Sequence, residues 1–390
     1  MGINFPMGPN QSYREVFSPL GKGSTLRLKL SNRFGKLPLI LNSVRLARQS
    51  IDANIDPTTL TPVRFNGQTS VTVPAGQDIF SDPVSFNFNS LDKLAVSIAT
   101  GATAWGFAPT EHAAGREYSF VTAPGAGDHT ADTTGAAYLY RTTRRHMVIG
   151  MDALAPANTS TIVTLGDSIT DGAQLNDYNP GGDERYPDYL KRRIDAAGLP
   201  FFVANAGIGG NRVATDNTGL LAQAGLSALS RYNADVLQQS GVTDVIILEG
   251  INDIGIDVLK PFDFTYRYNQ IIGGYETLIK NMQLRGLRVM QGTLTPTDNA
   301  TMPTYSGLAA RKLREKVNLW IRTKSPADTI VDFDAAVRDP NPPLTWGLNL
   351  TPNIILKKYD TGDGLHFNKD GYARMADAID LSRLKGSACR

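Results

Sequence analysis

The chain has 390 residues, enough for two or three domains and at least one large hydrophobic core. Its 39 lysines and arginines nearly balance 37 aspartates and glutamates, so the net charge is only +2. This balance excludes a strongly charged disordered chain and gives no electrostatic reason to predict a nucleic-acid binder. No apolar run approaches the roughly 18 residues of a membrane span, which predicts a soluble protein. The single cysteine, Cys389, excludes an intrachain disulfide and argues against a cysteine nucleophile or a cysteine-based zinc site.

The first 155 residues contain short stretches in which apolar and polar side chains alternate, the pattern of half-buried strands. These stretches are residues 25–31, 44–46, 71–73, 84–88 and 94–98. No helical pattern of any length interrupts them, so we predict an all-β sandwich or jelly-roll domain over residues 1–155. Residues 101–143 are rich in Gly, Ala and Thr, and we predict them mostly as loop and as a candidate wall or lid.

From about residue 156 the pattern changes to strand, loop and helix in turn. Five short apolar runs are typical of strands that are covered on both faces of a sheet. They are residues 161–165, 201–204, 244–248, 287–291 and 329–333. Amphipathic helical patterns lie between them. We therefore predict an open, five-stranded parallel α/β sheet over residues 156–390, with ligands bound at the carboxyl ends of the strands.

The first predicted strand of this sheet runs into Gly166-Asp167-Ser168. A serine just past a strand can lie on a tight turn with its hydroxyl exposed to a cleft. The alternative is that Ser168 only caps the helix that follows. The five-residue Gly-x-Ser-x-Gly elbow of α/β-hydrolases is absent, because residue 170 is threonine.

The next two strands also end in segments that could bind a ligand. Gly207, Gly209 and Gly210 let the backbone approach a ligand closely and point N–H groups at it, although a plain tight turn stays open. A dinucleotide loop is excluded, because Arg212 takes the place of its third glycine. After the third strand, Asn252 could point its amide into the cleft beside Ser168, or serve only as a helix cap or Asx turn.

Near the end of the chain, Asp363 precedes His366 by three residues. In a loop, this spacing lets the carboxylate bind one ring nitrogen while the other nitrogen faces a nucleophile. His366 is one of four histidines and the only one in the α/β half, and a structural histidine is the alternative. We find no metal-binding motif, no calcium-hand spacing and no phosphate loop.

Together these segments resemble the SGNH (GDSL-type) hydrolase superfamily. Gly166-Asp167-Ser168 is similar to block I, residues 205–210 to block II, Gly250-x-Asn252-Asp253 to block III and Asp363-x-x-His366 to block V. The whole chain is similar to a bacterial subgroup of arylesterase- and acylhydrolase-like proteins with an N-terminal β-domain. Stretches that carry this similarity are residues 28–35, 127–130, 292–296 and 332–334. The resemblance implies a flavodoxin-like three-layer SGNH-hydrolase domain after the β-domain.

The resemblance also implies roles for the site residues. Ser168 would be the nucleophile, His366 the general base and Asp363 the group that orients the imidazole. The oxyanion hole would consist of the Ser168 N–H, the Gly210 N–H and the Asn252 side-chain amide. Gly207 or Gly209 could replace Gly210 as the donor. No metal or organic cofactor is expected.

We therefore expect a serine esterase that removes acetyl groups from glycans or hydrolyses small aryl or alkyl esters. The alternatives are a lysophospholipase-type lipid acylhydrolase and a non-enzymatic carbohydrate-binding protein, although the complete set of site residues argues against the latter. We expect a secreted or periplasmic location, with the cytoplasm as the alternative. No signal peptide is visible, but a chain trimmed of its signal peptide would look the same. The oligomeric state is open.

Overall fold

The computed structural model describes residues 8–101, 110–174, 179–255, 264–343 and 352–386. The chain divides into two units, which we call the β unit and the α/β unit. The β unit comprises Met1–Pro156 and Asn179–Asp183, and the α/β unit comprises Ala157–Tyr178 and Glu184–Arg390. Within the described ranges, no helix is long and apolar enough to cross a membrane.

The described part of the β unit is built from short strands. They are β1 (Ser12–Phe17), β2 (Gly23–Ser31), β3 (Leu39–Arg48), β4 (Thr61–Pro62), β5 (Val71–Val73), β6 (Asp78–Phe80), β7 (Val84–Phe88), β8 (Leu94–Thr100), β9 (Glu111–His112), β10 (Ser119–Val121), β11 (Tyr140–Thr142), β12 (Arg145–His146) and β13 (Val148–Ala153). One sheet has the order β11-β10-β1-β8-β3-β4, with β5 also on β3, and a second has the order β13-β2-β6, with β7 also on β2. A third, two-stranded sheet pairs β12 with β9.

The two larger sheets share one apolar core. Leu28 and Leu30 of β2 pack in the same cluster as Leu46 of β3 and Ile98 of β8. Full burial of each such side chain contributes about 1.5–3 kcal/mol to folding. The predicted all-β sandwich is therefore confirmed, and each alternating stretch of the sequence forms part of a strand.

The segment 101–143, which we predicted mostly as loop, contains three short strands in its described part. The longest of these runs have three residues each, too short for an alternating pattern to be visible in the sequence. β10 is buried throughout because it pairs with β1. Trp105, which belongs to the candidate wall or lid, lies outside the described residues.

A short piece of the later sequence, Asn179–Asp183, is part of the β unit. Lys93 places its ammonium group 2.8 Å from the Asp183 carboxylate and 2.5 Å from the Glu117 carboxylate. The Gly181 N–H donates to the Arg116 carbonyl over 2.8 Å. Residues 179–183 are therefore fixed by partners that lie more than sixty residues earlier in the chain.

The described part of the α/β unit alternates strands and helices. Its strands are β14 (Ser160–Gly166), β15 (Phe201–Gly207), β16 (Val242–Leu248), β17 (Arg288–Gly292) and β18 (Thr329–Val331). Its helices are α1 (Ser168–Asp171), α2 (Tyr186–Ala196), α3 (Ala228–Tyr232), α4 (Ile251–Gly255), α5 (Phe264–Leu284), α6 (Pro303–Ser306), α7 (Leu308–Lys324), α8 (Phe333–Val337) and α9 (Lys369–Asp377). A short π-helix, Asn233–Leu237, follows α3 directly.

All five strands are parallel, in the order β15-β14-β16-β17-β18. Because β14 lies between the second and third strands along the chain, the carboxyl ends of these three strands meet at the topological switch point. The five predicted strands and the α/β fold class are confirmed. β18 ends at Val331, two residues earlier than predicted, because the Asp332 side chain accepts the Ala335 N–H and caps α8.

The sheet is covered on both faces. On one face, side chains of β14, β16 and β17 form a core with the buried sides of α5 and α7. On the other face lie Ile162, Ile246 and Met290 of the same strands, which are fully buried. Helices α2 and α9 pack on each other, and α2 packs on β15. The unit is therefore a three-layer α/β domain with its ligand edge at the ends of β14, β15 and β16.

Candidate active site

Ser168 lies immediately beyond the end of β14, in the first turn of α1. The cap of this helix is the preceding residue, since the Asp167 carboxylate accepts the Ile169 N–H over 2.9 Å. The end of β15 packs tightly on the same helix: a side chain at Gly207 would place its Cβ only 2.3 Å from the Asp171 nitrogen. Ser168 is thus held on a short, closely packed turn, and its hydroxyl is not needed for capping.

The structure brings three of the predicted residues into one chain of hydrogen bonds. The Ser168 Oγ lies 2.9 Å from His366 Nε2, and His366 Nδ1 lies 2.6 Å from Asp363 Oδ2. The other carboxylate oxygen of Asp363 accepts the backbone N–H groups of His366 (2.8 Å) and Leu365 (3.0 Å). The carboxylate is therefore fixed by its own loop before it meets the imidazole.

The charge of Asp363 sets the tautomer of His366. Burial alone would raise the pKa of Asp363, but the hydrogen bond and charge of His366, together with the two backbone N–H groups, lower it to about 2. The carboxylate is therefore ionised at neutral pH and can only accept a hydrogen bond, so Nδ1 carries the proton. In a neutral imidazole, Nε2 is then the acceptor that faces the Ser168 hydroxyl.

The glycine loop after β15 leaves two backbone N–H groups for a ligand. The Gly207 N–H donates to the Asn205 side chain over 2.9 Å and so is already used. Among the described residues, the N–H groups of Gly209 and Gly210 have no hydrogen-bond partner. Gly210 has a φ of 77°, in the left-handed region that favours glycine. A Cβ at Gly209 would lie 4.0 Å from the Ser168 Cβ, so the loop runs alongside the serine.

Asn252 lies at the start of α4, and only 3% of it is exposed. Its amide nitrogen donates to the Asn211 carbonyl over 2.9 Å, and its amide oxygen accepts from the Tyr305 hydroxyl over 2.8 Å. Because a carbonyl can only accept, the Asn211 carbonyl fixes which end of the Asn252 amide is nitrogen. The second amide N–H remains for a ligand. Asn211 directly follows Gly210, so Asn252 is joined to the glycine loop.

Three buried acids lie in the segments that carry these groups. Burial raises the pKa of Asp253 to about 6, although its carboxylate accepts the Val213 N–H over 2.9 Å. Burial also raises the pKa of Asp167 to about 7, opposed by the Ile169 N–H and reinforced by the charge of Asp253. Burial raises the pKa of Glu249 well above its usual range. No pattern in the sequence predicts that these acids are buried.

Within the described ranges, no three His, Cys, Asp or Glu side chains are grouped so that they could hold a metal ion. Cys389 lies outside those ranges. The groups that are brought together are a serine hydroxyl, an imidazole oriented by a carboxylate, and N–H donors beside the hydroxyl. Chemically, this set can deliver an alkoxide to an acyl carbon and bind the negative charge that forms on its oxygen.

Sequence reasoning did not single out Tyr305 or the role of Asn211. Asn211 lies in the glycine loop, but nothing in the loop's sequence shows that its carbonyl accepts from the Asn252 amide. Tyr305 lies 53 residues after Asn252 and belongs to no motif. Only the folded chain reveals that it donates to the Asn252 amide.

The family of GDSL-like lipases and acylhydrolases matches residues 164–374, which is more than half of the chain. A search of curated proteins found no match. Among solved structures, the aryl esterase of M. smegmatis is 18% identical, with 56% of this chain and 96% of that chain covered and a TM-score of 0.40. A carbohydrate acetylesterase from Sinorhizobium meliloti is 15% identical, with 56% and 96% covered and a TM-score of 0.38. A GDSL-like lipase from Bacteroides thetaiotaomicron is 18% identical, with 57% and 87% covered and a TM-score of 0.38.

Proposed function

We propose that this chain, which belongs to the GDSL-like lipase/acylhydrolase family and is an SGNH-type hydrolase, is a serine esterase. It would cleave carboxylic esters through an acyl-enzyme on Ser168. The observation that carries this proposal is the continuous chain of hydrogen bonds from Asp363 through His366 to the Ser168 hydroxyl. His366 has a partner on each side that suits its role, since Nδ1 faces Asp363 and Nε2 faces Ser168.

In the first step, His366 Nε2 takes the proton of the Ser168 hydroxyl while Oγ attacks the ester carbonyl carbon. The ionised Asp363 stabilises the imidazolium that forms and keeps the ring in place. The imidazolium then gives its proton to the oxygen of the leaving alcohol, and the acyl group stays on Ser168. In the second step, His366 takes a proton from water, the hydroxide attacks the acyl carbon, and the proton returns to Ser168 as the acid leaves.

The tetrahedral intermediate carries a negative charge on the former carbonyl oxygen. We assign its binding to the Ser168 N–H, the Gly210 N–H and the second amide N–H of Asn252. The engagement of the Gly207 N–H by Asn205 supports a donor later in the loop. Gly209 is the alternative to Gly210, because its N–H also has no partner among the described residues.

For the substrate, the proposal is a small acyl group, either an acetyl group on a glycan or the acyl part of a small aryl or alkyl ester. Three further parts of the proposal rest on the sequence alone. Residues 1–155 form an accessory β-domain and residues 156–390 the catalytic domain, the protein is secreted or periplasmic, and neither a metal nor an organic cofactor takes part.

A panel of esters tests the proposal. The wild type and Ser168→Ala are incubated with p-nitrophenyl esters from acetyl to palmitoyl, with acetylated oligosaccharides and with a lysophospholipid. We expect the wild type to prefer short acyl groups, and Ser168→Ala to lose about four to six orders of magnitude in activity while remaining folded. A preference for palmitoyl esters and the lysophospholipid would instead establish the lipid acylhydrolase.

A fluorophosphonate probe separates an enzyme from a binding protein. We expect one equivalent to bind covalently to Ser168 of the wild type, as seen in the intact mass and in a tryptic peptide, and none to bind to Ser168→Ala. If the folded wild type neither reacts with the probe nor hydrolyses any ester of the panel, the serine mechanism is wrong. The carbohydrate-binding alternative would then be tested by titration with glycans.

A further inference from the structure

Arg231, in α3, is a buried cation, and only 4% of it is exposed. Its Nε donates to the side-chain oxygen of Asn211 over 3.0 Å. Its Nη1 donates to the Ala206 carbonyl over 2.7 Å, and its Nη2 donates to the Gly166 carbonyl over 3.0 Å. The guanidinium thus binds the ends of two neighbouring strands and the loop that follows one of them.

These acceptors lie next to the groups that we assign to oxyanion binding. Gly166 is two residues before Ser168, at the end of β14. Asn211 is the residue after Gly210, and its own carbonyl accepts from the Asn252 amide. One side chain therefore contacts the segments that carry two of the three proposed donors, and it holds the residue that orients the third.

The guanidinium also faces the strand that leads to Asn252. Its Nη2 lies 3.6 Å from a carboxylate oxygen of Glu249, three residues before Asn252. Neither carboxylate oxygen of Glu249 has a hydrogen-bond partner among the described residues. On its outer side, Nη1 donates over 3.1 Å to Asp235, whose side chain is 29% exposed.

Arginine suits this position for a geometric reason. The acceptors lie in different directions around the group, and a planar guanidinium presents five N–H donors in fixed directions. A lysine has three donors on a single atom and cannot meet acceptors spread over two strand ends and a loop. Loss of the guanidinium would leave buried carbonyl groups without this donor and free the strand ends to shift relative to each other.

We propose that Arg231 is the positioning residue of the oxyanion hole, which holds the Gly166–Ser168 turn, the glycine loop and Asn211 in the arrangement that binds the transition state. It touches none of the reacting atoms. The inference rests on the proposed function, because it concerns the hydrolysis of esters at Ser168. Its consequence is that the loss of Arg231 reduces kcat while substrate binding in the ground state is largely kept.

A double-mutant cycle tests this role. Arg231→Met should lower kcat for p-nitrophenyl acetate about 10- to 100-fold and change KM by less than about threefold. In the Asn252→Ala background, the same change should lower kcat by a clearly smaller factor, because one of the donors that Arg231 helps to position is already absent. Arg231→Lys is carried through the same cycle, so that the test does not depend on the folding of one variant. Circular dichroism and a thermal melt monitor folding.

Asp235→Asn is the matched control, since it removes only the charge of the exposed partner of the guanidinium, and we expect kcat to stay within about twofold of the wild type. Additive losses in the cycle, or a rise in KM at unchanged kcat, would overturn the role of Arg231 while leaving the esterase intact. A wild type that hydrolyses no ester would overturn the proposed function and this inference with it. Wild-type activity combined with a strongly coupled cycle would support both.

Discussion

The two sides of the candidate active site are held in different ways. On the His366 side, Asp363 and His366 are three residues apart, and Asp363 is fixed by N–H groups of its own loop. On the Asn252 side, the amide is held by a carbonyl 41 residues away and a hydroxyl 53 residues away. The His366 side is held by residues close together in sequence, whereas the Asn252 side depends on the packing of the whole α/β unit.

This difference separates two kinds of sensitivity. On the His366 side, the substitution of one residue should cause a large loss of activity, because no other group can replace its proton or charge. On the Asn252 side, each substitution should remove only part of the activity, because each buried partner controls only part of the geometry. Substitutions on the two sides should therefore differ in how much activity they remove.

The largest effect is expected from Asp363→Asn. The amide can still accept the Leu365 and His366 N–H groups, but it is neutral and can present an N–H to His366, which favours the wrong tautomer. We expect kcat to fall about 1,000- to 10,000-fold with the fold intact. Steady-state kinetics on a short-chain ester measures this loss. A loss of less than about tenfold would show that the proposed role of His366 does not depend on the charge of Asp363.

Asn252→Ala should have the next largest effect. It removes one of the proposed oxyanion donors while Ser168 and His366 stay in place, so we expect kcat to fall about 100- to 1,000-fold with little change in KM. Asn252→Asp is the matched variant, because it keeps the size of the side chain and replaces the donor with an acceptor. A raised KM at normal kcat in Asn252→Ala would place Asn252 in ground-state binding instead.

A smaller, graded loss is expected from Tyr305→Phe. The variant keeps the ring but removes the hydroxyl that donates to the Asn252 amide oxygen, so the amide loses one of its two anchors. We expect kcat to fall about three- to tenfold, which corresponds to one hydrogen bond. The control is Tyr266→Phe, in an exposed tyrosine of α5, which should leave kcat unchanged. A Tyr305→Phe loss as large as that of Asn252→Ala would contradict a stepwise response.

The smallest effect concerns stability rather than turnover. The pKa of Asp253 is raised to about 6 in the folded state, so folding favours its protonated form. The stabilisation this gives is complete below about pH 4 and is lost as the pH rises through about 6. Asp253→Asn keeps an acceptor for the Val213 N–H and cannot ionise. We expect the fall in Tm between pH 5 and pH 8 to be smaller by a few degrees in the variant, and parallel Tm curves would contradict this.

The sequence was most informative where contacts are short in range. Asp363 and His366 could be paired because a loop brings residues three apart together, and Ser168 could be placed because a buried strand ends just before it. Arg231 could not be found in the same way. Its acceptors lie 20, 25 and 65 residues away, and a charged residue in a short helix is ordinarily solvated.

Partners that are remote in sequence also explain why strand β1 could not be predicted. β1 contains Arg14 and Glu15, which break an apolar pattern, yet both are fully buried. The Arg14 guanidinium is satisfied by the Ser97 hydroxyl and by the carbonyls of Ala53 and Asp132. Burial of a charged group depends on partners that are remote in sequence, so alternation of residue types cannot reveal it.

The placement of residues 179–183 in the β unit has a consequence for how the chain can be divided. The polypeptide passes from one unit to the other at three points, near residues 156, 178 and 183, so the β unit is made of two separate stretches of the chain. A chain cut near residue 156 would leave Asp183 without Lys93, and Gly181 without the Arg116 carbonyl. An engineered separation of the two units should therefore also replace 179–183 with a short polar linker, because an excision at a single site leaves part of the β unit attached to the other half.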